Sequence, residues 1–315
     1  MLPNTDPVSG RVEVTHRSRK FGRNNLVLIA GLVIVLAVVA AIVLVQSSSS
    51  ALYPVKVNGK YGYINKSGKM IVAPQFDRAG SFADGFAPVA MGRTWGYVDG
   101  KGKLAIAPQF DMADPFSDGL ALVGTGPRLG YIDKSGKYKI NPQYEGAGQF
   151  GDGLAPVDVN GRWGYIDKDG KLAINPQYDE AGNFSDGLAL VRTGNQYGYI
   201  DKSGKVIINP QFGAAGEFHN GLAAVKAGDR FGYIDKNGKF AINPQFDSAN
   251  DFSDGLALVA VGNRFGYIDK DGKFAINPQF DHAGDFHDGL APVWTGGREG
   301  YITKNGKFVW NQGNV

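Results

Sequence analysis

The pair Gly-Tyr stands at 62–63, 96–97, 130–131, 164–165, 198–199, 232–233, 266–267 and 300–301, each copy 34 residues after the one before. Eight copies without an insertion or deletion mean that the chain from about residue 51 onward is one small unit repeated. A unit of that size cannot bury its own apolar face, so copies must stack and share a core. The same period carries a proline from Pro74 to Pro278 and a turn glycine from Gly68 to Gly306.

A period of 34 residues also suits arrays of helix pairs, but the composition rejects them. Each unit holds roughly five glycines, and a helix interior loses about 1 kcal/mol for each. Within Gly255–Asp288, the runs Leu256–Val261, Arg264–Asp269 and Lys273–Asn277 read as strands. Gly272 closes the loop between the second and third, and Pro278 is expected to end the third because it has no N–H for a ladder. Gly266, in mid-strand, marks close approach of another backbone. The stretch Phe280–Asp288 leads to the next unit and offers a fourth short strand. The fold class is therefore an all-β repeat body of eight three- to four-stranded units. A propeller-like ring is favoured over an open β-solenoid, because closure protects strand edges.

Ahead of the repeats, Leu26–Val45 is twenty residues without charge or proline. As a helix it would span about 30 Å, the thickness of a bilayer core. Residues 1–25 carry five basic residues and two acidic ones, and none of the twenty residues after Val45 before Lys66 is basic except Lys56 and Lys60 within the first repeat. That bias places the N-terminus in the cytoplasm and the repeats outside. A cleavable signal peptide is the competing reading, with Ser49-Ser50-Ala51 as small residues for a peptidase, but its apolar region would be shorter. The organisation read from the sequence is a basic cytoplasmic tail (1–25), a transmembrane helix (26–45), a Ser-rich spacer (46–51) and a β-repeat domain (52–315). The expected location is the cell membrane, single-pass, with the repeats extracytoplasmic.

The formal charge of +3 resides in the tail, so the repeat body is neutral, with 28 basic and 28 acidic residues. A neutral body argues against nucleic-acid binding. Cysteine is absent, which removes disulfides, thiol nucleophiles and thiolate metal sites. Asp84, Asp118, Asp152, Asp186, Asp254 and Asp288 precede glycines, as good turn dipeptides do, without the dense acidic alternation of a calcium loop. His219, His282 and His287 lack the local spacing of a zinc site. Lys69 and its seven equivalents follow the turn glycine, and the facing column Asp99, Asp133, Asp167, Asp201, Asp235 and Asp269 is expected to neutralise them. No catalytic motif interrupts the repeats, so no catalytic, cofactor-binding or metal-binding residue is assigned.

The unit resembles the bacterial WG (KWG) repeat. Phe150-Gly151-Asp152-Gly153-Leu154-Ala155, Val157, then Gly161-Arg162-Trp163-Gly164-Tyr165-Ile166-Asp167 and Gly170-Lys171 carry the likeness. The match extends over residues 51–311. Trp95 and Trp163 keep the motif's tryptophan, whereas Tyr61, Leu129, Tyr197, Phe231, Phe265 and Glu299 replace it. The resemblance implies a β-repeat module that mediates interaction and brings no shared catalytic residues. The function expected is a non-enzymatic, membrane-anchored scaffold binding a protein partner. The alternative is a cell-wall glycan or polymer binder using Trp95, Trp163, Tyr197, Phe231 and Phe265, in hairpins similar to choline-binding repeats. The tyrosines after each repeated glycine are expected to be core.

Overall fold

The computed structural model describes residues 51–313. The tail, the apolar run and all of the spacer before Ala51 lie outside the described residues. Within those described, no helix is long and apolar enough to cross a membrane.

Eight antiparallel sheets follow one another along the chain, spanning residues 52–76, 78–110, 112–144, 154–178, 180–212, 223–246, 248–280 and 282–311. We number them blades one to eight. Blade seven shows the full pattern: Ser248–Ser253, Leu256–Val261, Arg264–Ile268 and Phe274–Phe280, hydrogen-bonded in that order. The fourth strand expected at the end of each unit thus forms, but it pairs with the next unit and becomes that blade's first strand. In blades four and six this strand shrinks to isolated bridges such as Ala147–Val157 and Ala215–Val225. Blade one has none among the described residues, its sheet starting at Leu52. The segment Ser248–Ser253 and its equivalents, the bridged stretches of blades four and six included, meet across blades, as Asn250 meets Asp285 at 3.1 Å, so they line the axis and are called inner strands here.

Eight apolar clusters lie between blades, one for each adjacent pair. In one, Leu120, Leu122, Tyr131 and Ile140 of blade three meet Phe150, Ala155, Val157 and Ile166 of blade four. The eighth joins the two ends: Tyr53, Val55 and Ile64 pack on Leu290 and Tyr301. Tyr301 donates to the Pro54 carbonyl at 2.9 Å and Tyr53 to the Asp288 carbonyl at 2.7 Å. On the inner side, His287 Nε2 lies 3.0 Å from the Phe82 carbonyl of blade two, reaching past blade one. These contacts close the body into an eight-bladed β-propeller and dismiss the open stack.

One expectation about the hairpin is corrected. The third strand does not stop at its proline but runs through it, as Met70–Phe76 and Phe274–Phe280 show. It is the outermost strand, so one edge needs no ladder and proline is tolerated there. Its register against the second strand shifts twice, for example between Phe265–Phe280, Tyr267–Ile276 and Ile268–Phe274. The outer strand therefore bulges inward opposite the mid-strand glycine. A Cβ on Gly266 would sit 2.6 Å from both the Ile276 carbonyl oxygen and the Pro278 nitrogen, so only glycine fits.

Chain direction gives the ring two chemically different faces. The first strand of blade one starts on one face, here called proximal, which also carries the Asp-Gly turns (84–85 and equivalents) and the loops such as 66–68. The opposite, distal face carries the tight turns that follow each unit's apolar strand, such as Asn58-Gly59 after Leu52–Val57.

Candidate functional site

Most repeated polar columns are consumed in holding blades together. The eight tyrosines from Tyr63 to Tyr301 are buried. Seven donate to a backbone carbonyl of the next blade's inner strand, from Tyr63 on Gly80 at 3.0 Å to Tyr267 on Gly284 at 2.7 Å. Burial pushes the pKa of each hydroxyl upward, as a neutral donor in an apolar wall requires. This column is core and cannot stack on a sugar.

The turn aspartates do more than form turns. Asp84, Asp118, Asp152, Asp186 and Asp254 adopt positive φ and each accepts the glycine N–H of the next blade's equivalent turn, at 2.5–2.9 Å. They form a belt of charge-assisted bonds around the proximal face. The aspartate after each Pro-Gln-aromatic motif is a second tie. Asp111 and Asp179 accept from Gly126 and Gly194 of the next blade's distal turn at 2.8 and 2.6 Å. Arg162, Arg230 and Arg264 pair with Asp179, Asp247 and Asp281 in the same column.

The Asp99 column, expected to neutralise the turn lysines, holds their loop chiefly through the backbone. Asp99 accepts the backbone N–H groups of Lys101 and Lys103 at 2.9 and 3.0 Å, and Asp235 does the same for Asn237 and Lys239. A carboxylate two residues ahead of a turn caps its backbone, leaving the ammonium groups outside. Among the described residues, only Lys273 of the outer lysine column approaches a carboxylate, Asp271 at 3.8 Å.

Columns that differ from unit to unit lie in two places. The first is the axis. Asn183 N–H donates to Glu217 Oε1 at 2.8 Å and Glu217 N–H to Asp251 Oδ2 at 3.2 Å. Asn250 donates to Asp285 at 3.1 Å, and His219 stands 3.2 Å from Ser185 Oγ and 3.7 Å from Glu217 Oε2. Burial pushes Asp251 up to about 6 and also raises Asp285, while the Glu217 carboxylate raises His219. Sequence spacing missed this group, because all its pairs except Glu217 and His219 lie 34 or 35 residues apart and meet only when adjacent inner strands converge on the axis. His282 stays apart, over the Phe265 ring at 6.1 Å.

The second place is the distal end of each blade. Trp95, Trp163, Tyr197, Phe231 and Phe265 sit there half-buried, one per blade, each in the second strand just after the distal turn. The structure does not bring them into one pocket; it sets them around one face. Each is flanked by a different neighbour. Arg78 stacks 4.6 Å over Trp95, Lys226 lies 5.9 Å over Phe231, and Trp163 covers Gly146. Tyr197 donates to Glu180 Oε2 at 2.7 Å and lines a groove of about 320 Å³ with Leu190 and Ala214. Every arginine of the body, from Arg78 to Arg298, is also at a distal position, whereas sixteen of its twenty lysines are in proximal loops.

These features define an eight-bladed propeller whose invariant columns bind blade to blade and whose variable columns face the axis and one end. The chain belongs to the family described as WG containing repeat, which matches residues 61–93, 95–126, 130–163, 163–197, 197–230, 231–264 and 265–297. Its backbone is similar to that of dihydro-heme d1 dehydrogenase NirN in complex with DHE, with a TM-score of 0.55, 15% identity, and 84% of this chain and 73% of that one covered. It is similar as well to a eukaryotic initiation factor, with a TM-score of 0.51, 10% identity, and coverage of 83% and 85%. At such identities the likeness is one of fold alone. No curated protein matches the chain.

Proposed function

We propose that the protein is a non-enzymatic interaction scaffold, held at a membrane by Leu26–Val45 with the propeller outside the cytoplasm, and that its distal face binds a protein partner. The observation that carries the reading is the segregation of side chains. All eight arginines of the body and one half-exposed ring in each of five blades, groups enriched where proteins bind one another, lie at the distal ends, while sixteen lysines, depleted at such contacts, lie at the other beside the exposed rings of Tyr138, Phe240, Phe274 and Phe308. The distal columns also vary between units that are otherwise nearly identical, as a surface shaped for one irregular partner would. Glycan or polymer binding through the same half-exposed rings is the alternative.

Two experiments test this. A periplasm-dependent reporter fused after Val315 should be active, and activity only of a cytoplasmic reporter would refute the orientation. Trp95→Ala/Trp163→Ala/Tyr197→Ala in the full chain should abolish capture of a cell-envelope protein that Lys205→Gln/Lys239→Gln leaves intact. Retention by purified cell-wall polymer, lost in the same triple variant, would support the glycan reading instead.

A further inference from the structure

The proximal face has a chemistry of its own. Seven lysines of one column, from Lys66 to Lys304, and eight of another, from Lys69 to Lys307, occupy its loops and are exposed. Most aspartates on that face accept backbone N–H groups, as Asp118 does from Gly153 and Asp235 from Lys239, and Lys134 and Lys168 also come within 3.7 and 3.8 Å of Asp84 and Asp118. At the junction of blades eight and one lies a depression of about 680 Å³, rimmed by Lys66, Lys304, Lys307, Thr303 and Asn305, with Asp254 and Asp288 at its side. Lys304 donates to the Asp254 carbonyl, which orients it along that rim. The first strand begins beside this depression, since Tyr53 bonds to the Asp288 carbonyl.

We infer that the proximal face lies on anionic phospholipid, with the junction depression taking a headgroup phosphate. The inference rests on the membrane-anchored reading above. Gln46–Ala51 separates the apolar run from the first strand by six residues, which reach at most about 20 Å when extended. A body tied that closely, from its proximal side, presents that side to the headgroups. Exposed lysines near an anionic surface each favour the docked arrangement by roughly fivefold.

The chain has no cysteine, so single labels are unambiguous. Full-length Asn237→Cys (a proximal loop) and Asn195→Cys (a distal turn) are labelled with an environment-sensitive dye and reconstituted into vesicles containing brominated phosphatidylglycerol. Quenching at 237 but not at 195, weakened in phosphatidylcholine vesicles, is expected. Lys66→Gln/Lys304→Gln/Lys307→Gln should lower the docked-to-undocked ratio roughly fivefold per lysine removed, so that quenching at 237 is lost at a higher phosphatidylglycerol fraction than in the parent, while the protein still sediments with the vesicles. Protein that sediments but leaves both labels equally wet overturns the docked face and spares the anchor. Protein that stays in the supernatant overturns both. Release of the 237 label by millimolar inorganic phosphate would mark a soluble-anion site and also overturn the membrane-facing assignment.

Discussion

At the scale of single residues, the repeated tyrosine has two separable roles. Its ring fills the space between blades, and its hydroxyl bonds to the next blade, as Tyr165 does to the Gly182 carbonyl at 2.9 Å. Tyr165→Ala should cost roughly 3–5 kcal/mol through the cavity it leaves. Tyr165→Phe should cost about 1 kcal/mol, for the hydrogen bond and the unpaired carbonyl. Urea midpoints of the two variants check the split, and equal losses would contradict it. The axial carboxylates make a pH prediction. Asp251, held near 6, has a raised pKa in the folded state, so the native protein holds that proton between about pH 4 and 6 when the unfolded chain has lost it. Its contribution therefore declines as pH rises through that window. His219, also raised, adds stability at low pH that is lost as pH climbs past its folded value. Asp251→Asn keeps an oxygen for the Glu217 N–H and removes the charge facing Glu217, Asp285 and His219. It should be more stable than the parent at pH 8, with the gain shrinking by pH 4.5 in thermal melts. The tyrosine's core role was legible in the sequence because it recurs in every unit. The axial group was not, because a residue that breaks a repeat gives no sign of which neighbour it will meet.

At the scale of strands and turns, the period revealed the hairpin and its turn glycines, and it located the mid-strand glycine as a place of close approach. It misjudged the proline. A run such as Phe274–Phe280 looks interrupted in the sequence, but an outermost strand has a free edge, and that property belongs to the assembled sheet. The bulge at that strand makes Gly164→Ala a steric clash, since its Cβ would stand 2.6 Å from the Ile174 carbonyl oxygen. The substitution should cost about 1–3 kcal/mol by overpacking, read from denaturant unfolding. The Asp-Gly turns show the same limit of local reading. They form for local reasons, yet the carboxylate's partner is 35 residues away, as for Asp118 and Gly153. Asn220 in this column takes the same positive φ, so Asp118→Asn should keep the turn and lose only the charge-assisted part of the bond, whereas Asp118→Ala should lose about 1–3 kcal/mol. If both behave alike in thermal melts, the belt contributes nothing.

At the scale of the whole molecule, closure depends on contacts that no single unit predicts. Preference for a ring followed from edge protection, but its proof is the pairing of blade one with blade eight through Tyr53, Pro54, Asp288 and Tyr301. Removing residues 290–315 would expose the apolar faces of blades seven and one together. The remainder should unfold as a whole rather than persist as a seven-bladed product, and a soluble β-rich fragment with a sharp melt would refute this. The closing contacts also impose an order in time. Blades two to seven can each settle on the blade made just before, but the partners of Tyr53 and Val55 lie in blade eight. Joining positions 247 residues apart must await the eighth blade, and contacts so distant in sequence form slowly. Until then the ring is an unfastened clasp, with one greasy face open at the start of the body and another at the growing end. A chain cut short during synthesis would therefore stay open to proteases, so that only finished copies become durable.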